Sequence, residues 1–132
     1  MKAELAKLFT EYYQQAPAAT YFTPGRVNLI GEHIDYNGGL VMPCAITLGT
    51  WLALAPNSDN VIRFKSVNFP ESAEIPLEKA YTKTGEEWYN YPLGVFHEIL
   101  KENEINQGFD LLFYGNIPIG SGLSSSASIE VV

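Results

Sequence analysis

The sequence predicts an α+β fold in a single domain, and three observations carry that prediction. Its 132 residues fall below the ~150 usually allotted to one domain. Hydrophobic residues make up 46% and charged residues 17%, a globular balance. A chain of this length buries roughly two-thirds of its unfolded surface. The sequence patterns give three helices and at least four strands, which fits α+β without fixing strand order, with no internal repeat, low-complexity tract or linker.

Residues 2–15 read as an amphipathic helix, because Leu5, Leu8, Phe9 and Tyr12 recur at helical spacing and Pro17 stands just beyond the end. Residues 20–31 (TYFTPGRVNLIG) are rich in strand formers around a Pro-Gly break. The polar loop EHIDYNGG follows and closes on Asn37-Gly38-Gly39, a turn signal. Residues 40–56 are nearly uncharged and read as a buried strand. Residues 61–66 (VIRFKS) alternate like a half-exposed strand, and the turn formers Asn57, Ser58, Asp59 and Asn60 predict a hairpin between the two. Residues 67–91 are mixed, with Pro70, Pro76 and Gly85, and give no clear pattern. Residues 92–101 (PLGVFHEILK) fit a helix with Pro in its first turn, and residues 109–114 (FDLLFY) fit a strand. The last stretch, GNIPIGSGLSSSASIEVV, is a Gly-rich loop running into a helix. That helix stops on Val131-Val132 without a capping Gly or a charged last turn, an ending that predicts a partial sequence.

Charge and composition narrow the function. Eight Lys and Arg stand against fifteen Asp and Glu, a net charge of −7, which disfavours binding to a phosphate backbone. No apolar run reaches the ~18 residues of a membrane span, and MKAELAKLFTEYYQQ lacks the apolar core of a signal peptide. The single Cys44 allows neither an intrachain disulfide nor a cysteine-based zinc site. The expectation is a cytoplasmic protein without nucleic-acid or membrane partners.

Two segments carry chemistry. In Gly120-Ser121-Gly122-Leu123-Ser124-Ser125-Ser126, a strand leads through glycines into a helix. Glycines let several backbone N–H groups turn toward one anion, the helix start adds donors, and hydroxyls bind phosphate oxygens or magnesium. There is no GxxxxGK[ST] and no full dinucleotide fingerprint. The plain alternative is a Ser-rich cap on an ordinary helix. The second segment, PGRVNLIGEHIDYNGG (24–39), gathers Glu32, His33 and Asp35 within four residues. Such groups bind pairs of sugar hydroxyls, and the planar fork of Arg26 suits a phosphoryl group. The alternatives are a metal cluster, for which His97 is the one other histidine, or a solvated turn with Arg26 as a surface charge. His97 itself, on an apolar helix, reads as a core or boundary residue.

Taken together, PGRVNLIGEHIDYNGG (24–39) resembles the galactokinase signature, and PIGSGLSSSAS (118–128) is similar to the phosphate loop of the GHMP sugar and metabolite kinases. VMPCAI (41–46) and SVNFP (66–70) read the same way, so the resemblance covers essentially the whole chain. It implies a GHMP-kinase N-terminal-domain-like fold, a mixed β-sheet with helices packed on one side, truncated within residues 1–132. It implies ATP-dependent phosphorylation of galactose at the 1-hydroxyl, with ATP and magnesium as cofactors. Arg26 would stabilise the transition state, Glu32, His33, Ile34 and Asp35 would form the galactose-binding stretch, and Gly120, Ser121, Gly122, Leu123, Ser124, Ser125 and Ser126 would wrap the phosphates. Ser126 would also ligate magnesium, and Ser66 would lie near the nucleotide. Ile34 stands where the family often has Thr, and no polar role is expected of it. The family's catalytic Asp, a magnesium-binding Glu and a sugar-contacting Tyr would all lie beyond Val132, in the C-terminal part of the same protein, leaving this portion inactive alone. Kinases for other sugars share the pattern. So do galactose- and ATP-binding sensors that act as transcriptional regulators, although the intact GSGLSSSAS loop favours the enzyme.

Overall fold

Helix α1 spans Lys2–Tyr13 and ends where Gln14 enters the left-handed region at φ 56°, its N–H returning to the Thr10 carbonyl. Its apolar stripe buries Leu5 and Phe9 and half-buries Leu8, whereas Tyr12, expected on the same stripe, is exposed. The computed structural model describes residues 1–83, 85–118 and 120–132, apart from the side chain of Asp35. Five strands follow α1: β1 (Ala19–Ile30), β2 (Met42–Asn57), β3 (Val61–Ser66), β4 (Ala73–Pro76) and β5 (Gly108–Gly115). Helix α2 (Asn90–Glu102) precedes β5, and α3 (Ser125–Val131) follows it.

The strands form one mixed sheet in the order β1-β2-β5-β3-β4. β1 with β2, β2 with β5 and β3 with β4 run antiparallel, whereas β3 and β5 run parallel. The Pro-Gly break in β1 appears as a register shift between Pro24 and Arg26, with a second between Asn28 and Ile30. Residues 67–91 contain the short strand β4, whose four residues are too few to show a period. The hairpin expected at Asn57–Asn60 does not form, because β5 enters between β2 and β3.

The insertion has a visible cause. β5 is apolar toward both faces of the sheet, so it is stable only as a central strand. Leu111 and Phe113 join Leu52, Ile62, Phe64 and Leu93 in one core, against which Phe96, Ile129 and Val132 pack. Leu112 joins Ala53, Ala55, Leu5 and Phe9 in the other. Since neighbouring strand residues point to opposite faces, α2 and α3 cover one side of the sheet and α1 adds a smaller cluster on the reverse side. Where β5 begins, Gly108 lies so close to the Val61 backbone that a side chain has no room.

Candidate functional site

The Gly25–Arg26 part of segment 24–39, about a hundred residues from the 120–126 loop in sequence, meets it where β1 runs past the start of α3. The Arg26 N–H donates to the Leu123 carbonyl at 3.1 Å. The Arg26 guanidinium donates through Nε at 3.1 Å and Nη2 at 2.7 Å to Ser124 Oγ. Gly25 makes the approach possible: a Cβ there would stand 2.8 Å from the Leu123 oxygen and 2.9 Å from Ile117 Cδ1. Ser128, buried at the first turn of α3, donates to the Thr23 carbonyl at 2.8 Å and lies 2.9 Å from Thr50 Oγ1. β1, β2 and α3 are thus joined at one point.

The loop has the irregular backbone its glycines permit. Gly120, Gly122 and Ser124 all take positive φ, at 73°, 70° and 61°. Alternation of this kind turns successive N–H groups to one side, a concavity suited to an anion. Ser121 is fastened to Pro118 by its N–H and its hydroxyl. Ser124 occupies the position before α3 yet makes no side-chain cap, its oxygen being engaged by Arg26. Ser124, though it stands at the N-cap position, does not act as a side-chain cap.

Ser125 and Ser126 line a cavity of about 400 Å³ that also takes in Ser66, Asn68, Trp88 and Tyr91. Phe69, Phe113, Ile117 and Ile129 supply apolar walls. Asn68 is held in place by Gly115, donating to its carbonyl at 2.9 Å and accepting from its N–H at 2.8 Å. Trp88 stacks on Phe69 at 6.3 Å and donates its indole N–H to the Glu71 carbonyl. Aromatic faces beside a few fixed polar groups suit a planar heteroaromatic ring. Ser66, expected by resemblance near a nucleotide, lines this cavity. Trp88, Tyr91 and Asn68 are not among the sequence-predicted site residues, and the one sequence signal for them is the aromatic concentration WYNY (88–91) where α2 begins.

The acidic segment projects from the far end of β1. Gly31, at φ 94°, passes Leu40 and Val41 too closely for a side chain, the Leu40 carbonyl lying 2.7 Å from a notional Cβ. Glu32 is exposed. His33 holds a left-handed conformation at φ 61°, with Nδ1 2.9 Å from the Tyr36 hydroxyl. The Ile34 carbonyl accepts from the N–H groups of Asn37 and Gly39, closing the loop. Asp35 opens a single 3₁₀ turn, Asp35–Asn37, and its side chain lies outside the described residues. Asn28 Oδ1, two positions from Arg26, is buried without a hydrogen-bond donor among the described residues. No group of three or more His, Cys, Asp or Glu side chains placed to hold a metal occurs among the described residues. His97 is engaged elsewhere, its Nδ1 accepting the Tyr81 N–H at 3.0 Å and so fastening the segment ahead of Trp88 to α2.

Comparison with known proteins gives a consistent picture. Residues 7–56 match the family described as the galactokinase galactose-binding signature, and residues 90–132 match the GHMP kinases N terminal domain. A galactokinase of Streptococcus thermophilus is 48% identical over 98% of this chain and 34% of its own length. One from Bacillus subtilis is 45% identical over the whole chain and 35% of its own length. Among solved structures, Lactococcus lactis galactokinase complexed with galactose superposes with a TM-score of 0.87 at 43% identity, over 98% of this chain and 34% of that one. Methanococcus jannaschii mevalonate kinase superposes at 0.78 and 26% identity, over 86% and 37%. The chain spans about a third of the length of the relatives it matches. No helix among the described residues is long and apolar enough to cross a membrane.

Proposed function

Because the chain belongs to the galactokinase family of the GHMP kinases, we propose that it is the galactose- and nucleotide-binding part of an enzyme that transfers the γ-phosphoryl group of ATP to the 1-hydroxyl of galactose. The observation that supports this reading is the contact of Arg26, on the strand that leads into the acidic segment, with the loop at Ser124, which puts a cation beside an anion-binding loop. In phosphoryl transfer the protein mainly positions the reactants and offsets developing charge. Residues 120–126 hold the phosphates through backbone N–H groups, and the cavity between Trp88, Tyr91 and Ser66 takes the base. Glu32, His33 and Asp35 bind the sugar hydroxyls, and the Lactococcus lactis relative carries galactose in its complex. Arg26 stabilises the charge that builds on the transferring group.

The residues fit a magnesium nucleotide. The positive-φ loop offers an anion cradle, and the exposed Ser126 hydroxyl beside it can ligate the ion. Magnesium would neutralise charge on the phosphates. The net charge of −7 is no obstacle, since backbone dipoles and the ion do this work rather than lysines. A base for the sugar hydroxyl is not assigned among these residues. On this reading it lies, with a further magnesium ligand, in the C-terminal part of the relatives that the chain does not span.

The test is galactose-dependent release of ADP from MgATP, on the 132-residue chain and on the full gene product that carries it. We expect turnover only in the full product, with Arg26→Ala lowering kcat by roughly a hundredfold or more. Tight binding of galactose and ATP without turnover would move the protein to the sensor class.

A further inference from the structure

We propose that Ser124 is the positioning residue for Arg26, and that its hydroxyl fixes the guanidinium rather than contacting a phosphate. The inference rests on the phosphoryl-transfer reading above and assigns a role within that same site.

Two donors from one edge of the guanidinium, Nε and Nη2, converge on the single Ser124 oxygen at 3.1 and 2.7 Å. A hydroxyl oxygen has two acceptor positions, so this one is filled, and the group keeps only its proton to donate. The arrangement is set by the backbone. Ser124 holds φ 61° and ψ 45°, and its side chain makes no cap to α3. The neighbouring Leu123 carbonyl takes the Arg26 N–H, and Gly25 lets the strands come that close. The strand and the loop are therefore joined at backbone and side chain together.

What this leaves is an arginine with one edge fixed and the other available. No described residue bonds Arg26 Nη1. The Nη1–Nη2 edge still presents two parallel N–H groups, which suit phosphoryl oxygens. An arginine held this way enters the reaction already oriented, and preorganisation of this kind raises kcat rather than binding.

The test is a double-mutant cycle in the full gene product, with kcat and KM measured for galactose and MgATP. The variants are Ser124→Ala, Ser124→Gly, Arg26→Ala and Arg26→Ala/Ser124→Ala, residual turnover being followed with labelled ATP. Ser124→Gly keeps the left-handed backbone without strain, so it separates loss of the hydroxyl from loss of the loop's shape. We expect both Ser124 variants to lower kcat about tenfold, with the KM for MgATP within about twofold of wild type. In the Arg26→Ala background, adding Ser124→Ala should change kcat by less than about twofold, because the residue acts through the arginine. Losses that multiply, a rise confined to the KM for MgATP, or full activity in Ser124→Gly would each overturn the inference while leaving the kinase reading in place. A wild-type protein that does not phosphorylate galactose would overturn both.

Discussion

Asp110 is 3% exposed, yet three donors satisfy it: Arg63 Nη1 at 3.0 Å, Asn57 Nδ2 at 2.9 Å and Gln15 Nε2 at 2.8 Å. They come from β3, the end of β2 and the segment after α1, so one carboxylate ties three parts of the fold together. A buried charge is tolerable only when paired and hydrogen-bonded in this way. Arg63, with Asp59 and Asp110 bonded to it, is held even more firmly in its charged form than an ordinary arginine. Beside them the Tyr13 phenol donates to the Leu111 carbonyl at 3.0 Å. Burial, and after it the charge of Asp110, push the Tyr13 phenol well above its ordinary value. The folded protein therefore keeps a proton that the unfolded chain gives up near pH ~10. Its contribution to stability is complete below that pH and is lost as the pH climbs further. We expect the thermal midpoint to fall between about pH 10 and pH 11, and Tyr13→Phe to flatten this part of the curve. Parallel curves for the two proteins, followed by circular dichroism, would refute the assignment.

At the scale of elements, the place of β5 decides the architecture. Gly108→Ala would drive a methyl group into the Val61 backbone and the Asn57 side chain at the point where β2 and β3 part. It should cost about 2 kcal/mol or more, read as a lowered denaturant midpoint. Gly94→Ala is the control: it sits on α2 with nothing near its notional Cβ, and should stabilise by up to about 1 kcal/mol. The same comparison separates what the sequence could show from what it could not. Periodicity found α1, α2, β1, β2, β3 and β5 within a few residues, because each has a stripe or a run long enough to see. The turn formers at 57–60 mark a real reversal, but a turn is local and cannot report a strand that arrives about fifty residues later. In the site, the loop glycines and the Glu-His-x-Asp cluster announced themselves through residue type. The aromatic cavity was hinted at only by Trp88 and Tyr91 in WYNY, since Phe69 and Phe113 lie far from them in sequence and only packing collects the four.

Across the whole molecule, buried and exposed apolar surface are unevenly divided. The far end of the β1–β2 ladder and its loop expose Leu29 (64%), Ile30 (69%), Leu40 (90%) and Met42 (59%), with Tyr36 beside them (73%). Exposed apolar residues grouped in this way are unusual for a monomer. The 132-residue chain on its own should therefore associate, with a light-scattering mass that rises with concentration and falls in Leu40→Asp/Met42→Asp. A monodisperse monomer at every concentration would contradict this. The order β2-β5-β3 also governs the route by which the chain reaches its native state. β2 and β3 emerge from synthesis as neighbours joined by a tight turn, each able to use the other as a pairing partner. The native ladder requires that this early pairing stay open, or break, until α2 and β5 have been made. Non-local pairing of this kind raises contact order and slows folding, and the premature hairpin is the trap most accessible to a nascent chain.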